Sequence, residues 1–239
     1  MAVSSKAKAR LHKGSEQKRN QLMKWVLRFA ALFAFIATCS WLDTIKGRWY
    51  VFDPTSLHQL AQEAVAVSGD DMRGMIDHIV KNLTATYPDS RIKLNTDSSE
   101  WMFNNAGGAM GAMYIIHSSI TEYLIIFGTP LGTEGHTGIH TADDYFNILY
   151  GEQWAFLPGS LEKEVYPPGS VHFLPRGTVK QYKMHEGCFA LEYARGWIPL
   201  MLPFGFMDTL TSTLDFPTFY RTARITAREM LGNLLIGKI

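Results

Sequence analysis

The alternation of hydrophobic and polar positions divides the chain into distinct stretches. Residues 25–42 read WVLRFAALFAFIATCSWL, almost continuously apolar and interrupted only by Arg28. That is close to the ~20 residues a helix needs to span a bilayer core, and Arg28 lies near one end, where it can snorkel to the interface. Trp25 and Trp41 bracket the run as interfacial aromatics do. Further on, apolar residues at helical spacing predict two short helices over 54–67 and 70–83, with Asp70 as N-cap of the second and Pro88 ending the run. From 112 to 195 the pattern changes to short runs broken by Gly and Pro: YIIH, TEYLIIFG, DDYFNILYG, EVYPPGSVHFL, TVKQYKM and CFALEYARG. Many short strands at close intervals predict a β-barrel or sandwich. Beyond 199 the pattern reverts to helix. The stretch 199–214 is almost wholly apolar, and 217–236 puts Phe219, Ala223, Ala227, Met230, Leu231 and Leu234 on one face, with Arg221, Arg224 and Arg228 elsewhere. Such a pair fits a lid on a membrane surface, or a plain cover for the barrel.

Charge adds a topology. Net charge is +1, which gives no support to a nucleic-acid surface, yet Lys6, Lys8, Arg10, Lys13, Lys18, Arg19, Lys24 and Arg28 precede Phe29 against the single acid Glu16. A cleaved signal peptide is one reading of this head and apolar run. Its basic stretch is long for an n-region, which favours a retained signal anchor. The positive-inside rule then keeps the head cytosolic and puts the rest on the far side, in a eukaryote the lumen of the endoplasmic reticulum, where the sequon at Asn82 is usable. The organisation expected is a basic head (1–24), a transmembrane anchor (25–43), a helical lead-in (44–100), a β-barrel (101–198) and C-terminal membrane-associated helices (199–239). Cys39 and Cys188 make no disulfide framework, and no CxxC, GxGxxG or P-loop motif occurs.

Strand parity nominates the chemistry. Glu192 shares a face with Cys188, Ala190 and Ala194, so one side of that strand is small apart from a carboxylic acid. Such a face leaves room for a ligand, or else it is solvated and Glu192 is exposed. His140, Ala142, Asp144, Phe146 and Ile148 form one face of a second strand, and Thr121, Tyr123, Ile125 and Phe127 one face of a third. If these faces point inward, the pocket is aromatic and aliphatic, with Asp144 and Glu192 as its acids. Two carboxylates in a dry pocket do not both ionise cheaply, so one keeps its proton as a general acid beside a residual anion. His136, His140 and Asp144, four residues apart, also invite a metal reading, but the His-x-His strand pair is missing and no metal is expected. His117 and His172 read as structural.

WMFNNAGGAMGAM (101–113), HSSITEYLIIFGTPLGTEGHTGIHTADDYFNILYG (117–151), EVYPPG (164–169) and FALEYARGWIPLMLPFGFMDTLTSTLDF (189–216) closely resemble the fungal C-8 sterol isomerases, the family that includes the sigma non-opioid receptor. The resemblance implies a mainly β fold with flanking helices: a cupin-like barrel behind one transmembrane helix, with C-terminal membrane-facing helices, in the endoplasmic reticulum membrane. It implies a sterol substrate whose double bond moves from Δ8 to Δ7, as in the fecosterol-to-episterol step of ergosterol biosynthesis, without a cofactor. Cationic amines are the implied inhibitors, membrane lipid the surroundings, and a trimer a possible assembly. The glutamate that meets the ligand amine in the receptor matches Glu192, and the tyrosine beside it matches Tyr123. Catalysis is assigned to Glu192 and Asp144, and substrate contact to Tyr123, Phe146, His140, Phe127, Ile125, Met113, Ile198 and Leu202. The rival from another class is a non-catalytic binder of sterols or cationic amphiphiles. AGGAMG (106–111) reads as a tight turn or a subunit contact.

Overall fold

The computed structural model describes residues 2–239, with side chains from Lys18 onward; the basic positions Lys6, Lys8, Arg10 and Lys13, and Glu16, lie outside the described side chains. The chain forms two units, 1–48 and 49–239. The first is dominated by helix α1 (Ala2–Ile45). Its segment Lys18–Trp49 is long and apolar enough to cross a membrane. Leu27, Phe29, Phe33 and Phe35 are exposed along it, and the Thr38 hydroxyl donates back to the Ala34 carbonyl at 2.8 Å, which satisfies that donor within the apolar stretch.

The second unit begins with helices α2 (Pro54–Ser68) and α3 (Met72–Thr86). Asp53 caps α2 by accepting from Ser56 N at 2.8 Å, with Pro54 in the first turn, where its missing N–H removes no bond. The cap of α3 is Asp71, not the expected Asp70: the Asp71 carboxylate accepts from Arg73 N, and Asp70 lies in the preceding turn. Leu57, Leu60, Ala61 and Ala64 of α2 and Met75, Ile76, Ile79 and Leu83 of α3 are buried together.

Ten strands follow: β1 (Met102–Ala106), β2 (Ala109–Ser118), β3 (Glu122–Thr129), β4 (Thr133–His136), β5 (Ala142–Tyr150), β6 (Gln153–Phe156), β7 (Glu164–Tyr166), β8 (Val171–Leu174), β9 (Gln181–Met184) and β10 (Cys188–Gly196). They make a six-stranded sheet, β1-β2-β3-β10-β5-β8, and a four-stranded sheet, β4-β9-β6-β7. The expected barrel is therefore not closed by hydrogen bonds; each sheet keeps its own edges. Strand β10 lies between β3 and β5, antiparallel to both. Its odd-numbered residues Leu191 and Tyr193 pack with α2 and α3. Cys188 and Ala190 face the other way, into a second core with Ile125, Phe127, Phe146 and Ile148, which removes the reading of a solvated small face.

AGGAMG is a tight turn. Gly107 and Gly108 have φ of 65° and 82°, and Ala106 pairs with Ala109, the two-residue hairpin that needs positive φ at both central positions. Strands β1 and β4 went unforeseen, since MFNNA and TEGH carry too many polar residues to show an apolar alternation.

After β10 the chain does not form one continuous helix over 199–214. A 3-10 turn (Ile198–Leu200) leads to α4 (Leu202–Asp208), a π-turn (Thr209–Thr213) and Leu214 at φ 54°, and only then α5 (Phe216–Leu235). Leu231 and Leu234 of the apolar face of α5 are 58% and 45% exposed, while Ile225, Thr226, Glu229 and Asn233 are buried. The C-terminal end is tied down by a buried ion pair: Lys238 Nζ lies 2.7 Å from Glu122 Oε2, and the Glu122 carboxylate also accepts from Val51 N, Phe52 N and Tyr193 Oη.

Candidate active site

Between the inner face of the six-stranded sheet, strands β4 and β9, and helices α4 and α5 lies a cavity of about 790 Å³. This falls within the ~300–1,000 Å³ of small-molecule pockets. Its walls are largely apolar. Met113 on β2, Tyr123, Ile125 and Phe127 on β3, Phe146 on β5, and Ile198 and Leu202 after β10 all line it, as does His140 in the loop before β5. These are the side chains that parity and resemblance had assigned to substrate contact, and one cavity collects them.

Glu192 stands in the middle of the sheet wall. It pairs directly with Ile125 on one side and Phe146 on the other, so its carboxyl group emerges among hydrocarbon. Burial pushes its pKa well above the usual carboxylate range, and the charge of Asp144 and a hydrogen bond to Asp144 push it further. Asp144 does not line the cavity. It is fully buried on the same face of the sheet, directly across from Ala194 and diagonal to Glu192. No backbone N–H reaches its oxygens; the groups beside them are the Glu192 carboxyl and His140 Nδ1, the latter 3.3 Å from Oδ2. The donor that suits Asp144 is thus the proton of Glu192 itself, which joins the two carboxyls into one acid–anion pair.

Burial lowers the His140 pKa, but the hydrogen bond and charge of Asp144 outweigh it and the net shift is upward. The ring also meets Phe204 of α4 edge-on, 6.2 Å between centroids. Burial raises the Tyr123 phenol, the nearby Thr226 hydroxyl eases this, and Glu192 adds to it, so Tyr123 stays neutral. His136 is spent on its own turn, accepting from Gly138 N at 2.8 Å. Among the described residues no three His, Cys, Asp or Glu side chains converge to hold a metal.

The other two histidines sit in packing roles. His117 is fully buried, its pKa pushed down to about 4 by desolvation, with Nδ1 3.0 Å from the Lys93 carbonyl. His172 is stacked between Phe146 and Tyr166 and likewise pushed to about 4 by burial; Lys180 Nζ donates to its Nε2 at 3.1 Å, and its Nδ1 donates to Gln153 Oε1 at 2.7 Å.

Five further wall residues were not assigned to the site from the sequence. Tyr182 on β9 faces Glu192 across the cavity, Phe204 closes the α4 side, and Thr222, Thr226 and Met230 on α5 complete the wall. Tyr182 lies in the TVKQYKM run, which reads as a strand with no face assigned to it.

Fold and site together define a mainly β protein with flanking helices and an apolar pocket that holds a carboxyl pair. The chain belongs to the family described as ERG2 and Sigma1 receptor like protein, which it matches over residues 29–238. It is 63% identical to C-8 sterol isomerase erg2 of Aspergillus fumigatus over 88% of this chain and 86% of that one. It is 54% identical to C-8 sterol isomerase ERG2 of Gibberella zeae over 98% and 100%. Sigma non-opioid intracellular receptor 1 of Danio rerio is 31% identical over 88% and 93%. Among solved structures, an RmlC-like cupin from Shewanella frigidimarina is similar at 14% identity and a TM-score of 0.36, covering 42% of this chain and 88% of that one.

Proposed function

We propose that this chain is a C-8 sterol isomerase of the endoplasmic reticulum membrane, moving the sterol B-ring double bond from Δ8 to Δ7. The observation that carries the reading is the placement of Glu192 in an apolar cavity, diagonal to Asp144 on the sheet wall, where burial favours its protonated form. The 54–63% identity to fungal relatives that bear this name supports it.

The reaction adds a proton at carbon 9 and removes one at carbon 7, with positive charge at carbon 8 between. Glu192 is the group suited to donate: its proton is held by burial and by the Asp144 charge, and carbon offers no strong basicity of its own, so a well-placed acid in a dry site is required. Donation leaves two carboxylates against a carbocation. Their negative charge and the ring faces of Tyr123 and Phe146 stabilise it. The pair then takes the proton from carbon 7. One proton enters and one leaves, no electrons are gained or lost, and the enzyme returns to its starting state, so the chemistry calls for no redox cofactor. Amines protonated near the position of the cation should bind as mimics of it. The membrane-length helix supports an anchored enzyme, and the basic residues that precede it favour a cytosolic head with the pocket unit on the lumenal side.

The test is sterol profiling in a fungal strain lacking its own C-8 isomerase. Expression of this chain should convert accumulated Δ8 sterols to Δ7 sterols, and Glu192→Gln, present at equal level, should leave them unconverted. A wild-type chain that leaves Δ8 sterols unchanged yet binds lipophilic amines would make the protein a receptor-like binder instead.

A further inference from the structure

The chemistry just described leaves one state underprovided. Before proton donation the pair Glu192/Asp144 shares a proton and each carboxyl is served. Afterwards two adjacent carboxylates are both charged in a cavity that holds few donors. His140 Nδ1, 3.3 Å from Asp144 Oδ2, can serve Asp144. On the sheet wall the direct cross-strand neighbours of Glu192 are Ile125 and Phe146, and the Tyr123 hydroxyl, diagonal to it, is a single donor for a carboxylate that accepts several hydrogen bonds, so a second donor is called for.

The opposite wall offers one. Tyr182 is on β9, in the other sheet, paired with Gly135 on β4 and Ala155 on β6. With no side chain on one flank and a methyl group on the other, the ring is free to stand into the cavity, and it lines the same space as Glu192. Its ring packs against the core that contains Phe146 and Met184. Both Glu192 and Asp144 act on its phenol, which burial keeps protonated. A hydroxyl held inside an apolar cavity costs free energy unless it has a partner at some stage of the protein's work.

We propose that Tyr182 is a positioning residue of the isomerisation, its hydroxyl donating a hydrogen bond to the Glu192 carboxylate formed when the proton passes to carbon 9. The donor acts on a charge that exists only after proton transfer has begun. It therefore lowers the barrier without tightening sterol binding. The ring contributes wall area in every state, the hydroxyl only in the charged one.

This rests on the isomerase reading, and the test separates the two. Wild type, Tyr182→Phe and Tyr182→Leu are assayed as full-length protein in detergent with a Δ8 sterol, and binding of a lipophilic amine is measured in parallel. Phe keeps the ring and removes only the hydroxyl. The expected result is a ten- to hundredfold fall in kcat for Tyr182→Phe, with KM and amine affinity within about threefold of wild type. Tyr182→Leu should lose kcat similarly and raise KM as well. Unchanged kcat in Tyr182→Phe, or a raised KM with kcat retained, overturns the proposal and leaves Tyr182 a wall residue. Absence of turnover in wild type overturns the isomerase reading itself.

Discussion

Asp144 faces Ala194 across the β5–β10 ladder, and Glu192 lies two residues from Ala194 on the same face of β10. The two carboxyls are therefore diagonal neighbours on one wall, a spacing that long side chains bridge. Neither needs an unusual backbone to reach the other; ordinary pleating and register bring them together. The consequence is electrostatic: burial first, and the neighbouring Asp144 second, raise the pKa of Glu192.

The first prediction is a pH profile. The donor form of Glu192 is present below its raised pKa and lost above it, so the isomerisation rate should fall on the alkaline side. Asp144→Asn removes the neighbouring charge, which is the second cause of the shift after burial. Its alkaline edge should move to lower pH relative to wild type. Initial rates against pH with a Δ8 sterol measure both edges; coincident edges would detach Asp144 from the acid.

A second prediction concerns stability. An unfolded glutamate titrates near pH ~4.3, whereas folded Glu192 holds its proton to higher pH. Between those values the folded state binds the extra proton, so stability falls as pH rises through the window and levels off above the folded pKa. Glu192→Gln has no such proton to lose. At pH 8 it should be more stable than wild type by ~1 kcal/mol or more, and the gap should close near pH 4. Thermal midpoints across that range check it, and a gap independent of pH would refute it.

The acid pair was legible because β3, β5 and β10 are long enough for alternation to declare a face. Eight or nine residues each, they carry Tyr123, Ile125 and Phe127, then Asp144, Phe146 and Ile148, then Glu192 among small residues. Tyr182 was not legible, because β9 is four residues long and Lys180, which shares its parity, reads as a solvent marker. In the fold Lys180 is buried, its ammonium 2.5 Å from Glu164 Oε2 and 3.1 Å from His172 Nε2. A lysine neutralised by a distant acid reverses the meaning of the pattern, and no local rule anticipates it. The setting of the apolar face of α5, membrane surface or barrel cover, stayed open for a related reason. Apolarity alone does not distinguish the cavity side, where Thr222 and Thr226 lie, from the outer side, where Leu231 and Leu234 are exposed.

A third prediction follows from Lys238. Its ammonium is 2.7 Å from a Glu122 carboxylate that is itself fully buried, and it also donates to the Trp49 carbonyl at 2.6 Å. Lys238→Met strands the carboxylate, a change that typically costs ~3–5 kcal/mol. Combining it with Glu122→Gln removes the stranded charge and should recover part of the loss, since the amide oxygen still accepts from Val51 N, Phe52 N or Tyr193 Oη. Chemical or thermal unfolding of the two variants in detergent decides it: a double variant no more stable than Lys238→Met would show that the charge is not the cause.

The β1–β2 turn supplies an internally controlled fourth prediction. Gly107 and Gly108 both have positive φ, so alanine at either incurs a backbone penalty of roughly 1–2 kcal/mol. Their surroundings differ. A Cβ on Gly108 meets nothing within 4 Å, whereas one on Gly107 falls 2.1 Å from the His136 carbonyl oxygen and 2.9 Å from Phe204 Cζ. Gly107→Ala must therefore part the hairpin from β4, breaking the His136 N to Gly107 O hydrogen bond of 2.9 Å, and push Phe204 of α4 off the cavity. Strand β1 is three strands from β10, so the acid pair is untouched. Gly108→Ala should lower stability with KM unchanged. Gly107→Ala should lower it further and raise KM for a Δ8 sterol about tenfold, with kcat reduced less than threefold, as expected when ground-state binding rather than chemistry is lost. Equal KM values for the two variants would mean that the contact between the hairpin and α4 does not shape the sterol site.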